Sequence, residues 1–468
     1  MNDELTGFSA SELAALVRAR RASPVEIVEA HLRRIDEINP QLNAIITLAP
    51  DAMERACEAE RLIMRGADVG LLHGVPVTIK DTIATRNLRT TCGSPMRASF
   101  IPETDAPAVA RLKKAGAIIL GKTNVPEMAV SYETDNPVFG RTNNPFDSGR
   151  TPGGSSGGEA AAIASCMSAA GLGSDLVGSI RIPAHFCGIC GLKPTIGCVP
   201  CAGHTPPAIG VLSLGAVVGP MARKTLDLAL LFDVIAGFND TESLSVPIAN
   251  ESRENRFDEI DLLRGLRSAW YADEGIAPVS IETRCAVELS ARYLTEAGLK
   301  MREETPPGVA RSAQLWTHIF ARAAAAFIRE EYKGCEEKAG ALVRHIIADY
   351  DQRPPALDDF ISSWRERDSL RAALIEWMKD TPLIIAPVGS SAAFAHGARM
   401  IEIEGRAINV FSAFSYAQAF NVLNLPVAVV PVARSRENLP IGVQIIGRPF
   451  SEKMVLAVAL MLEKAFSQ

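Results

Sequence analysis

Apolar and polar positions along the chain follow two rhythms, one helical and one extended. Ser9 and Ser23 each stand three residues before a glutamate, Glu12 and Glu26, and Pro24 follows the second serine. In that S-x-x-E pattern the serine and the glutamate satisfy free backbone donors for each other, which predicts two helix starts. In the second helix Val25, Val28, Leu32 and Ile35 recur at helical spacing and predict a packing face. Residues 51–65 are expected to form another helix, and the apolar run 75–79 a short strand that delivers Lys80. Residues 105–115 then read as helix and 117–120 as strand. Such alternation predicts a sheet covered by helices.

The small residues from Glu159 to Ala170 are good helix formers, and a helix is expected across them. Residues 225–236 form an apolar helical stretch, after which 239–264 turns polar, as a linker or as a surface loop around an inserted region. Helices are expected to dominate from there to 380. One over 280–297 stops at Gly298, and Trp316, Phe320 and Phe327 recur at helical spacing, a stripe read as core before pocket. Residues 382–386 return as a core strand. The apolar run 427–430, the GVQIIG segment and a last helix from Ser451 complete the sheet.

Glycine and serine break these rhythms in two clusters. Gly153, Gly154, Ser155, Ser156, Gly157 and Gly158 leave almost no side-chain bulk, so the backbone there can approach a ligand or another backbone closely. The second cluster runs from Gly173 to Ser179, and Gly178 gives Ser179 a neighbour without a side chain. A serine beside free backbone N–H groups suits the stabilisation of an oxyanion. A flexible linker of the same composition would not be flanked by an alanine-rich helix and an apolar SDLVGSIRIPA segment.

Composition changes this picture little. With 47% hydrophobic and 22% charged residues, the 468-residue chain has an ordinary globular balance. Its net charge of −6 argues mildly against nucleic acid or an anionic membrane as main partner. The acidic start MNDELTGFSA has no basic segment followed by an apolar one, and no run of about 18 apolar residues occurs. Cytoplasmic residence is the expectation. Nine cysteines then read as reduced thiols filling small gaps.

GGSSGG, the GSDLVGSIRIPA serine 24 positions later, and FCGICGLKPT resemble the amidase signature family of hydrolases. HGVPVTIKD, GKTNVPE, GPMAR and LPIGVQIIG are similar to family blocks in the same order, so the resemblance covers nearly the whole chain. It implies one α/β domain over 1–468, a large mixed sheet with helices on both sides. The span from about 240 to 380 is weak in the resemblance and is expected to be a variable, mostly helical region that shapes the substrate pocket.

The resemblance further implies a catalytic group of Lys80, Ser155 and Ser179. Ser179 is the nucleophile, Ser155 relays its proton, and Lys80 is the base, which burial must keep uncharged at neutral pH. The N–H groups of Leu176, Val177, Gly178 and Ser179 are expected to form the oxyanion hole, with Ser156, Asp175 and Arg181 as supports. Val177 stands where the family commonly has glycine, and a β-branched residue adopts positive φ only at a cost. Either the loop does not need that conformation or its shape is altered. Met128, Tyr132 and Ile182 are expected to bind substrate.

Three motifs compete with this reading. Residues 116–123, GAIILGKT, match the phosphate-loop pattern, but the expected strand lies inside the pattern and Pro126 follows closely. Cys187 and Cys190, with Cys198 and Cys201, make two CxxC pairs, but the gap between them is shorter than zinc ribbons use. Residues 153–157 also fit G-x-S-x-G, with His318, His345 and His396 available to complete a triad, though none lies in a signature. No metal and no cofactor are expected.

Three functions stay open: a free-standing hydrolase of amides, carbamates or esters; the amidase subunit of a tRNA-dependent amidotransferase; and a silent binding protein. Intact Lys80, Ser155 and Ser179 disfavour the last, and Ile182, where amidotransferase subunits typically have glutamine, disfavours the second. The expected substrate is therefore a small apolar aryl or alkyl amide or carbamate. The expected partners exclude nucleic acid and membrane, with the chain a monomer or homodimer.

Overall fold

The computed structural model describes residues 4–247, 263–273 and 275–466. Eleven strands build one mixed sheet: β1 (Ile45–Leu48), β2 (Pro76–Lys80), β3 (Ile118–Thr123), β4 (Ala170–Asp175), β5 (Cys190–Lys193), β6 (Val217–Ala222), β7 (Arg267–Trp270), β8 (Lys300–Glu303), β9 (Leu383–Pro387), β12 (Val427–Arg434) and β13 (Pro440–Gly447). Their order is β1-β3-β2-β4-β6-β5-β12-β13-β9-β7-β8, and β10 (Met400–Ile403) pairs with β11 (Arg406–Asn409) in a separate hairpin. β2 lies parallel to β3 and β4, and β7 to β8 and β9, while the pairs between are antiparallel.

Helices cover both sheet faces, and the central strands show why. Side chains alternate across a strand; in β9 Leu383 and Ile385 enter one apolar cluster and Ile384 and Ala386 another. The first cluster lies under the helices Ala10–Arg18, Pro24–Leu42, Thr225–Ile235, Ile281–Glu296 and Glu452–Phe466. The opposite face packs against Arg181–Cys187, Val309–Trp316 and Ser415–Val422. Both N-terminal helices start with complete capping boxes at Ser9 and Ser23. Val28 and Ile35 are buried, with Val25 and Leu32 packed against the same core.

One expectation fails. The helix across Glu159 stops at Ala164, a turn follows, and buried β4 begins at Ala170, where the helix was expected to end. Smallness there serves close packing: a Cβ on Gly171 would sit 2.5 Å from the Thr78 carbonyl oxygen on β2 and collide with the Glu159 carboxylate. Helices occupy most of the described residues from 280 to 380, and β7 and β8 also extend the sheet beyond β9. β8, KMRE, is too short and too charged to carry an apolar alternation. Much of the polar stretch 239–264 lies outside the described residues. No helix among the described residues is long and apolar enough to cross a membrane.

Replacing Gly171 with alanine forces β2 and β4 apart, and we expect it to lower stability by about 1–3 kcal/mol. An unchanged urea midpoint for Gly171→Ala contradicts this packing account.

Candidate active site

Lys80 ends β2 and is wholly buried. Its Nζ donates to Ser155 Oγ at 2.7 Å and to the Ser174 carbonyl at 3.3 Å. Burial pushes its ammonium down to about 7, although nearby Cys92, Asp175 and Glu159 pull the other way. Ser155 lies in the glycine loop just before the helix Gly157–Ala164, and the Gly154–Ser155 peptide is cis. Only glycine fits at 154, because a Cβ would collide with the Ser131 carbonyl oxygen.

Ser179 follows β4 on a second loop, and the two loops are joined: Ser156 N–H donates to the Ser179 carbonyl at 3.1 Å. Ser156 Oγ also reaches the Ser174 carbonyl at 3.3 Å, the same acceptor that Lys80 uses. Asp175 shapes the loop bearing Ser179 from within. Its carboxylate accepts from Gly178 N–H at 2.8 Å and Ile180 N–H at 3.0 Å, and pairs with Arg181, both side chains fully buried. Burial alone would raise the Asp175 carboxyl; the charge and hydrogen bonds of Arg181 override it and hold the group well below the usual carboxylate range. Arg181 in turn donates to the Ala417 carbonyl and Gln444 Oε1, each at 2.7 Å, and to Asn421 Oδ1.

Val177 keeps a negative φ, and the loop turns instead at Gly178, where φ is 101°. The β-branched residue is therefore no obstacle to the loop. Because Asp175 takes the Gly178 N–H, that group is not free for a ligand. The N–H groups of Val177 and Ser179 hold no such bond among the described residues.

The three residues expected to bind substrate separate. Ile182 is fully buried against Gly178 in the apolar core beneath Ser179. Met128 lies in another cluster with Cys92, Ile328 and Tyr332. Tyr132 reaches the site: its hydroxyl donates to the Val177 carbonyl at 3.0 Å and accepts from Gln418 Nε2 at 3.1 Å. The stripe Trp316, Phe320, Phe327 splits because a π-helical turn, Thr317–Ala321, interrupts the helical repeat. Trp316 and Phe320 pack near Leu176 and Val177, and Phe327 packs with the Met128 cluster.

One residue the sequence did not single out stands close to Lys80. His204 Nδ1 meets the Pro206 carbonyl at 2.7 Å and Nε2 meets Ser174 Oγ at 2.8 Å. A carbonyl only accepts, so the proton sits on Nδ1 and Ser174 donates to Nε2. Burial pushes the imidazole down to about 4, keeping it neutral beside Lys80. Its segment, CAGHTPP, carries no motif that points to this contact.

The competing motifs resolve structurally. β3 runs through the middle of GAIILGKT, and Lys122 turns inward to the carbonyl of Ile83 and the hydroxyls of Thr85 and Thr90. Ser155 pairs with Lys80, whereas His318 lies against Ser363 and His396 against Glu133. All nine cysteines are free, and burial pushes the thiols of Cys187, Cys190, Cys198 and Cys201 upward. Among the described residues no three His, Cys, Asp or Glu side chains are grouped to hold a metal.

A protein-family model described as Amidase matches residues 26–456. The chain belongs to the amidase signature family. It is an enzyme of the class that hydrolyses amide C–N bonds. Over 481 residues it is 32% identical to a glutamyl-tRNA(Gln) amidotransferase subunit of Sulfurihydrogenibium sp. strain YO3AOP1, covering 97% of this chain and 96% of that one. The Thermus thermophilus protein of the same name is 34% identical over 478 residues, with 97% of each chain covered. Among solved structures, a chain of a vestigial complex bearing on the origins of an s-triazine catabolic enzyme superposes with a TM-score of 0.89 at 26% identity, covering 98% of both chains. A bacterial aryl acylamidase of the amidase signature family gives 0.86 at 27% identity, covering 98% of this chain and 96% of that one.

These relatives correct the expected partners. Their shared name contains a tRNA and a subunit, which overturns the exclusion of nucleic acid and the assignment as monomer or homodimer. A net charge of −6 is an average over the whole surface and does not report on one face of it.

Arg181→Met leaves the Asp175 carboxylate buried without its counter-charge, and we expect a loss of about 3–5 kcal/mol. Denaturant unfolding measures it, and a loss below about 1 kcal/mol would place the pair in the class of exposed ion pairs.

Proposed function

We propose that this amidase-family enzyme works through an acyl-enzyme on Ser179, with Lys80 as the base and Ser155 as the proton relay. The observation that carries this reading is the 2.7 Å contact from Lys80 Nζ to Ser155 Oγ, made by a lysine whose burial lowers its ammonium to about 7. Neutral Lys80 takes the Ser155 hydroxyl proton as Ser155 takes that of Ser179, and Ser179 Oγ attacks the carbonyl carbon. The oxyanion that forms lies among the N–H groups of Leu176, Val177 and Ser179, while Gly178 serves by tying the loop to Asp175. Ser155 then returns a proton to the leaving nitrogen, the C–N bond breaks, and water releases the acyl group by the same route. Ser156, Asp175 and Arg181 hold the two loops in register.

For the substrate, the shared name of the relatives supports the amidase subunit of a tRNA-dependent amidotransferase, and supports it better than anything supports a free-standing enzyme. In that setting the amide is that of glutamine. A second reading, apolar aryl or alkyl amides with carbamates or esters, rests on the rings of Tyr132, Trp316 and Phe411 beside the nucleophile loop, on isoleucine at 182 in place of the glutamine typical of amidotransferase subunits, and on the likeness to an aryl acylamidase. In both, the region from about 240 to 380 shapes the pocket, through Trp316.

Ser179→Ala is expected to abolish turnover and labelling by a serine-directed phosphonate, read by intact-protein mass spectrometry; activity surviving in that variant removes Ser179 as nucleophile. Because only neutral Lys80 accepts a proton, the rate should fall as pH drops through about 7. Lys80→Arg, charged at any working pH, should lose on the order of 10²–10⁴ in kcat. Near-normal turnover in Lys80→Arg takes the lysine out of the mechanism.

The two substrate readings part on kcat/KM for glutamine, a nitroanilide and an aryl carbamate. The relatives lead us to expect glutamine to lead by tenfold or more, about 1.4 kcal/mol in barrier. A tenfold lead for the anilide or carbamate selects the apolar reading instead.

A further inference from the structure

Two successive carbonyls of the nucleophile loop are held by side chains from outside it. Trp316 Nε1–H donates to the Leu176 carbonyl at 2.9 Å, and the Tyr132 hydroxyl donates to the Val177 carbonyl at 3.0 Å. Phe411 separates the two donors. Its ring stacks on Tyr132 with centroids 5.3 Å apart and planes 12° apart, and touches Trp316 at 5.1 Å.

A trans peptide unit is planar and points its C=O and the following N–H in opposite directions. The Val177–Gly178 unit is therefore gripped at both ends, by Tyr132 on its oxygen and by Asp175 Oδ1 on its N–H at 2.8 Å. The Leu176–Val177 unit is gripped only at its oxygen, by Trp316. Its other end, the Val177 N–H, faces away from the indole and is not committed to another group among the described residues. Leu176 and Val177 are themselves only partly buried at the edge of the apolar clusters, so the hydrogen bond from the indole adds a direct hold on that plane.

We propose that Trp316 is a positioning residue for the reaction: by holding the Leu176 carbonyl it aims the Val177 N–H at the oxyanion that forms when Ser179 attacks. Tyr132 does the same service for the neighbouring unit, fixing the turn that brings Ser179 forward. The inference rests on Ser179 as nucleophile. It gives an indole from the 309–331 helices a part in transition-state stabilisation, and that part depends on one N–H and not on the ring's bulk.

Trp316→Phe and a benzothienylalanine at 316, which replaces the indole N–H with sulfur at almost unchanged shape, separate the two. Loss of one oxyanion donor costs roughly 10²–10³ in kcat, and misaiming it should cost on the order of 10-fold or more. We expect that fall in kcat for both variants, with KM and melting temperature near those of the parent. A boronate or aldehyde that mimics the tetrahedral state should weaken in parallel. Trp364→Phe, in the same apolar cluster but packed against Phe320 and Phe360 rather than bonded to the Leu176 carbonyl, should leave kcat unchanged. Unchanged kcat in both Trp316 variants overturns the proposal, and so does unfolding of the isosteric one, which would make the residue structural. If Ser179→Ala retains activity, the acyl-enzyme reading itself has failed; if it is dead while both Trp316 variants run normally, only the positioning role has.

Discussion

An ion pair sealed from water, Asp175 with Arg181, underlies everything at this site. Taking two charges out of solvent costs several kcal/mol each and is offset only when every remaining donor and acceptor finds a partner. Here they do. Asp175 accepts from Gly178 and Ile180, and Arg181 spreads its donors over Ala417, Asn421 and Gln444. The pair thus converts an electrostatic necessity into geometry: the loop bearing Ser179 takes the one shape that keeps Asp175 satisfied.

The same dryness governs Lys80. β2 and the helix from Gly157 bury Lys80 and Glu159 on one side of the sheet, β3 buries Lys122 on the other, and burial moves each group toward its neutral form. Glu159 accepts hydrogen bonds from the hydroxyls of Thr78 and Thr123, and neutral His204 adds no charge to the set. A lysine serves as a base at neutral pH only in such surroundings. Stability of the folded chain and basicity of Lys80 therefore pull on the same buried charges.

Much of this was legible in the sequence, for definable reasons. Capping boxes announced the first two helices because their logic is local. Ser155 and Ser179 stood out because glycine clusters mark backbone sites, whereas Lys80 entered as a candidate only through the family resemblance. What escaped was nonlocal. The helix from Glu159 was expected to run on to Ala170 because small residues permit a turn or a tight strand as readily as a helix, and only the packing of Gly171 against Thr78 and Glu159 shows where β4 takes over. His204 and the Trp316 hydrogen bond escaped because each partner lies on another element, Ser174 for one and Leu176 for the other. The stripe through Trp316 and Phe327 was broken by a π turn that no residue type declares.

The chain order of the ion pair's partners bears on how the enzyme is made. Arg181 lies 236, 240 and 263 residues ahead of Ala417, Asn421 and Gln444. At roughly 5–20 residues per second of synthesis, the guanidinium waits on the order of 10–50 seconds for the groups that let it be buried. The half of the sheet carrying all three candidate catalytic residues leaves the ribosome first yet cannot close around its own charge. The nascent chain is therefore without the full set of partners for the loop bearing Ser179 until β13 arrives, so the site is among the last parts of the molecule to be completed.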